Sequence, residues 1–189
     1  MERTALKEWA VLTDAMARGE IIAMVRKGGI REQRAGFDVR HPRFLLYPTS
    51  FHEKAAELAP RFRDRLRAAM PSAPGTIRLE LVAEARAVWW VSELAALEMI
   101  AGEQGLAWES VVSRFHYRGK LGLHVIAARV SRLAAAVEIP ESPRYAGCVS
   151  WVRLDADISL DASTPVLNEH ALAERLGALE AALGAPLER

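Results

Sequence analysis

A single-domain α+β fold, with a mostly antiparallel or partly closed five-stranded sheet and flanking helices, is predicted by three features of this chain. Strand-like alternation runs from Ile77 to Trp89, helical spacing marks both ends, and no repeat, low-complexity tract or linker divides the 189 residues. That length is near the size of one domain. Hydrophobic residues make up 51% and charged residues 26%, a balance that buries a core and lies far from the profile of disorder. The domain spans 1–189, with a core over 4–155 and a C-terminal docking helix over 168–183.

Taken in order, Ala5, Trp9, Leu12 and Met16 recur at helical spacing with Lys7, Asp14 and Arg18 opposite, so the first element reads as a helix capped by Thr4 and ended by Gly19. Glu20 to Lys27 reads as a strand built on Ile21, Ile22 and Val25, stopped by the Gly28-Gly29 turn. Arg43 to Tyr47 is the next strand, cut by Pro48, which cannot donate to a ladder. A helix from Thr49 or Ser50 then carries Leu58, Phe62, Leu66 and Ala69, kinked at Pro60 and ended by the Pro71–Gly75 loop.

The clearest strand follows, with Ile77, Leu79, Leu81, Ala83, Ala85, Ala87 and Trp89 on one face. Such alternation suits an antiparallel sheet, because strands covered on both faces lose it. Short helices fill Ser92 to Met99 and Trp108 to His116, and Leu121 to Leu133 is a central apolar strand. Cys148 to Leu154 is the fifth strand. Asn168 caps a final helix with a Leu172, Leu176, Leu179, Leu183 stripe, and Leu167 is placed to staple onto Leu172.

No apolar run approaches the roughly 18 residues that cross a bilayer, and the N-terminus carries charges where a signal peptide needs apolar residues. The single cysteine, Cys148, cannot form an internal disulfide. These features predict a soluble cytoplasmic protein with no membrane partner and no cofactor. Its net charge of +1 hides a division: residues 1–70 hold 14 Lys/Arg against 9 Asp/Glu, the remainder 11 against 15. Arg26, Lys27, Arg31, Arg34, Arg40 and Arg43 face only Glu32 and Asp38 in their stretch, a cluster that can attract phosphate or serve merely as a solvated face.

Three stretches can carry chemistry. In Val25-Arg26-Lys27-Gly28-Gly29-Ile30, a strand delivers two cations to a turn whose glycines let an anion approach the backbone, although neither the P-loop nor the dinucleotide spacing is present. His41 and His52 flank the Arg43–Tyr47 strand, roughly 35 Å apart if the chain between them is fully extended, which disfavours a metal pair. His52 is the better acid, base or ligand candidate, and a cap or core hydrogen-bonder is the plainer alternative. Tyr145 to Trp151 combines the Cys148 thiol with a hydroxyl and aromatics; packing against Trp151 is the default there, ahead of nucleophilic catalysis.

With Lys7-Glu8-Trp9, these stretches resemble an uncharacterised prokaryotic family, the domain of unknown function family DUF1802. The resemblance covers roughly Lys7 to Leu154 and rests on Lys7, Glu8, Trp9, Arg26 to Ile30, Phe44, Pro48, Thr49, His52, Gly147, Cys148, Ser150 and Trp151. Where the family often shows Gln after the second histidine, this chain has Glu53. The resemblance implies a shared fold and site and a link to restriction-type DNA systems, but no activity. Nuclease chemistry would need clustered carboxylates with a lysine on adjacent strand positions. Glu80 with Glu84, and Asp155 with Asp157, share strand faces without that lysine and read as charged solvent faces, and zinc spacings of Cys and His are lacking.

The leading expectation is therefore a non-catalytic binding module whose Arg26, Lys27, Gly28, Gly29, Arg31, Arg43 and His52 receive nucleic acid or a phosphorylated small molecule. One alternative is a hydrolytic or nuclease-like enzyme using His52, with Tyr47, Thr49 or Cys148 nearby. The other is a protein-interaction module, such as a homodimer, pairing through the C-terminal leucine stripe.

Overall fold

The computed structural model describes residues 2–27, 42–66, 75–147 and 149–187. The chain opens on a strand, β1 (Glu2–Trp9), followed by α1 (Ala10–Ala17), β2 (Ala23–Arg26) and β3 (Arg43–Thr49). Two 3-10 turns, Ala55–Glu57 and Pro60–Arg65, lead to β4 (Thr76–Val91), α2 (Leu94–Met99) and α3 (Trp108–His116). A 3-10 turn, Tyr117–Gly119, precedes β5 (Leu123–Pro140), and another, Pro143–Tyr145, precedes β6 (Trp151–Ile158), β7 (Thr164–Pro165) and α4 (Glu169–Leu183).

The strands form one open sheet in the order β2-β5-β4-β3-β1-β6, with β7 beside β5. Among the described residues, every strand pairing is antiparallel except β1 with β3. The α+β class holds, while the strand count is seven among the described residues rather than five. The added strands are β1 and the two-residue β7.

β1 corrects the expected N-terminal helix. Its Ala5 pairs with Leu45 on one side and Val152 on the other, so it occupies the slot between β3 and β6. Ala5 and Leu6 are both fully buried and enter different clusters, with Leu6 among the large core and Ala5 among a second core on the other face. Neighbouring residues pointing to opposite faces is the strand period, and burial on both faces removes the alternation that would have advertised it. Helix begins only at Ala10, and Gly19 at φ +68 closes the turn that follows α1.

The helix expected from Thr49 or Ser50 through Pro60 is also absent. Ala59 is held extended, at ψ 141, as residues before proline usually are, and Pro60 opens the second 3-10 turn. Leu58 instead bridges Leu106, and Leu58 and Phe62 are completely buried. Ala69 and the Pro71–Gly75 loop lie outside the described residues except for Gly75.

The alternation of β4 is real but changes face along the strand. Ile77 and Leu79 belong to the second core, whereas Leu81, Ala83, Ala87 and Trp89 belong to the large one. A register shift against β5 falls between Leu79 and Leu81, and another between Ala85 and Ala87. Irregularities of this kind bend a strand and re-aim its side chains.

The last helix forms as expected, with Asn168 Oδ1 accepting from Ala171 N at 2.8 Å. Its Leu172 and Leu179 are buried, and Leu176 and Leu183 pack on the same core. The stripe is therefore used inside the chain, which takes away the surface that motivated pairing through this helix. Arg175 secures the helix further, donating to the Glu103 carboxylate and to the carbonyl of Gly19 at 2.6 Å. Among the described residues, no helix is long and apolar enough to cross a membrane.

Candidate functional site

β1 and β3 run parallel, with Trp9 opposite Thr49, so their C-terminal ends leave the sheet side by side. β6 runs antiparallel to β1 with Trp151 opposite Leu6, which places its entry segment at the same end. β2 lies at the opposite edge of the sheet, and no backbone pairing joins it to β6. Even so, Arg26 at the end of β2 donates to Ser150 Oγ at 3.3 Å and to the Lys7 carbonyl. The two edges thus approach at this end, and Arg26 spans the seam.

A cleft of about 450 Å³ opens at that seam. Four sequence-distant segments contribute to it: Lys7-Glu8-Trp9, Arg26-Lys27, the turn bearing Thr49, Phe51 and His52, and the approach to β6 through Gly147, Val149 and Ser150. α3 and the turn after it form another wall with Ser113, Arg114 and Tyr117. The described lining holds four cationic side chains, Lys7, Arg26, Lys27 and Arg114, against the carboxylates of Glu8 and Glu57, a surplus of two positive charges.

These charges are not equivalent. Arg26 and Glu8 form an ion pair at 2.9 Å with each side chain only 12% exposed, and the other Glu8 oxygen accepts from Trp9 N at 2.9 Å. Arg26 Nε is buried without a hydrogen-bond partner. Lys27 donates to the carbonyls of Phe115 at 2.6 Å, Gly122 at 3.0 Å and Lys120, tying β2 to the chain between α3 and β5. Desolvation, followed by repulsion from Lys120, lowers its pKa below the ordinary lysine value. Lys7 donates to the carbonyls of Tyr145 and Gly147 and thereby holds the approach to β6. Carbonyls carry no net charge, so these lysines fasten the walls while still adding to the positive field. Arg114 lies 5.0 Å over the Trp9 ring and 3.4 Å from Glu57.

His52 borders the cleft, exposed, with its ring 4.0 Å from that of Phe51. Its backbone takes φ 60, the left-handed region that few non-glycine residues occupy. The conformation belongs to a turn in which Glu53 N donates to Ser50 O at 3.1 Å. Glu53 Oε1 in turn accepts from Val11 N at 3.0 Å, capping α1, whose own N-cap residue Trp9 supplies no side-chain bond. Burial raises the Glu53 pKa, nearby Glu8 adds to the rise, and the Val11 bond opposes it.

Other candidates lie elsewhere. Arg43 starts β3, at the far end from Thr49, and borders a separate concavity with Glu84 and Arg129, so it does not share the cleft with Arg26. Tyr47 is buried in the second core, where desolvation first, then Glu141 and Tyr145, push its pKa to about 12, unsuited to proton transfer near neutrality. Trp151 meets Phe44 edge-on at 5.0 Å and packs on the large core. Gly28, Gly29, Arg31, His41 and Cys148 lie outside the described residues. Glu80 pairs with Arg78 and Glu84 with Arg86, while Asp155 accepts from Tyr145 Oη and Asp157 pairs with Arg3. No group of three or more His, Cys, Asp or Glu that could hold a metal occurs among the described residues.

Sequence reading missed the α3 wall. Arg114 and Tyr117, three positions apart near the end of a helix, gave a spacing signal, but only the fold turns that face toward Trp9.

No curated protein and no solved structure matches the chain. The family model described as a domain of unknown function, DUF1802, matches residues 5–178, a span that includes every segment bordering the cleft. The chain belongs to the DUF1802 family.

Proposed function

We propose that the cleft receives a phosphate-bearing ligand, either nucleic acid or a phosphorylated small molecule, and that the protein acts as a binding module. The observation carrying this reading is the convergence of four distant segments on one open cleft with a surplus of two positive charges. A pocket of this size, with a few convergent polar groups, is the usual form of a ligand site. The Arg26–Glu8 and Arg114–Glu57 pairs each contribute little net charge, so the surplus of the described lining comes chiefly from Lys7 and Lys27. Retention on heparin and a calorimetric titration with tripolyphosphate at several salt concentrations test it. Affinity should fall steeply with salt, and Arg114→Glu, which cancels the surplus, should weaken it more than tenfold; affinity indifferent to salt refutes the reading.

One observation favours a hydrolytic alternative: His52 holds a left-handed backbone at the cleft edge, and such strain gathers at functional sites. Under that reading the protein cleaves a chromogenic phosphodiester, and His52→Ala abolishes turnover while binding persists. Absence of turnover by the unaltered protein rejects it.

A further inference from the structure

We infer that the ligand is single-stranded nucleic acid, with bases stacking on aromatic rings at the cleft rim and phosphates attracted by its cations. This rests on the phosphate-binding reading and narrows it to one ligand class.

Six large hydrophobic side chains are conspicuously exposed among the described residues, and three of them border this cleft: Phe51 at 56%, Tyr117 at 55% and Val149 at 48%. Exposed apolar side chains scattered singly need no explanation, but their gathering around one basic cleft does. Inside the rim, the Arg114 guanidinium over Trp9 supplies a further flat, cationic surface. Alternating aromatic faces and cations is how proteins hold unpaired strands, because every base has a face to stack and every linkage a charge to attract. A duplex keeps its base faces occupied by neighbouring pairs and cannot use the rings. A phosphorylated molecule without a planar ring uses the cations alone.

The full chain is titrated, by fluorescence anisotropy, with labelled 12-mer single strands of DNA and of RNA, with the corresponding duplex, and with tripolyphosphate as competitor. Single strands should bind at least tenfold more tightly than duplex, and the DNA and RNA arms identify the preferred sugar. Phe51→Ala and Tyr117→Ala should each reduce single-strand affinity about tenfold, the scale of one stacked base, while leaving tripolyphosphate affinity unchanged. Both side chains are more than half exposed, so the fold should persist, and an unchanged melting curve checks it. Single strands binding no better than duplex, or tolerating loss of both rings, overturn this inference yet leave the phosphate reading standing. Salt-indifferent binding of every probe overturns both.

Discussion

The Arg26–Glu8 pair allows the closest quantitative test, since it fastens the seam on which the cleft is built. At 2.9 Å and an effective dielectric of about 20, the attraction is roughly 6 kcal/mol. Removing each ion from water costs several kcal/mol, so the net gain from the intact pair is small. Deleting one partner differs, because the survivor stays buried with its charge unanswered. Arg26→Met should destabilise the fold by about 3–5 kcal/mol, including the lost bonds to the Lys7 carbonyl and Ser150. Glu8→Gln should cost about 2–3 kcal/mol, less because an amide oxygen can still accept from the guanidinium. The double variant should be no less stable than Arg26→Met alone, giving a coupling energy at least as large as the Glu8→Gln cost, about 2–3 kcal/mol. Urea unfolding followed by tryptophan fluorescence measures all three. Additive single effects would show that the two side chains act independently and would refute the buried-pair argument.

Glu53 should reveal itself in the pH dependence of stability. Its folded pKa is raised above the unfolded value, so its contribution is complete below the unfolded pKa of about 4.5 and is lost as pH rises through the folded pKa. Glu53→Gln keeps an oxygen for Val11 N and removes that loss, so its melting temperature at neutral pH should equal or exceed the parent's. Glu53→Ala should lose about 1 kcal/mol of capping; equal damage from both variants would show that the carboxylate charge is required. His52→Gly should relieve the left-handed backbone and raise stability by roughly 0.5–1 kcal/mol in thermal melts, and a loss would show that the imidazole itself holds the turn. Gly122→Ala should cost about 2 kcal/mol or more on denaturation, because φ is +121 and a Cβ would stand 2.5 Å from Trp90 Cζ2 and 2.9 Å from the Val91 carbonyl.

Elements governed by local rules were legible in the sequence. The alternation of β4, the α3 segment, and the Asn168 cap with the leucine stripe of α4 all express short-range periodicity or capping, and each forms close to where it was expected. Sequence also singled out the segments that meet at the cleft: Lys7-Glu8-Trp9, Arg26-Lys27, His52, and Gly147 with Ser150. It misread residues 2–9, where helical spacing of Ala5, Trp9, Leu12 and Met16 competed with a slot between β3 and β6 that only distant strands create. Likewise, burial of Leu58 and Phe62 was foreseeable, but Pro60 and the bridge to Leu106 turned the intended helix into two short turns. Tertiary structure alone decided what the charges do, because a sequence lists cations without their partners. It set Arg26 against Glu8, spent the Lys27 protons on three carbonyls, sent Arg43 to another surface and brought Arg114 over Trp9. Electrostatic energy depends on separation and burial, and both arise from how the sheet curls.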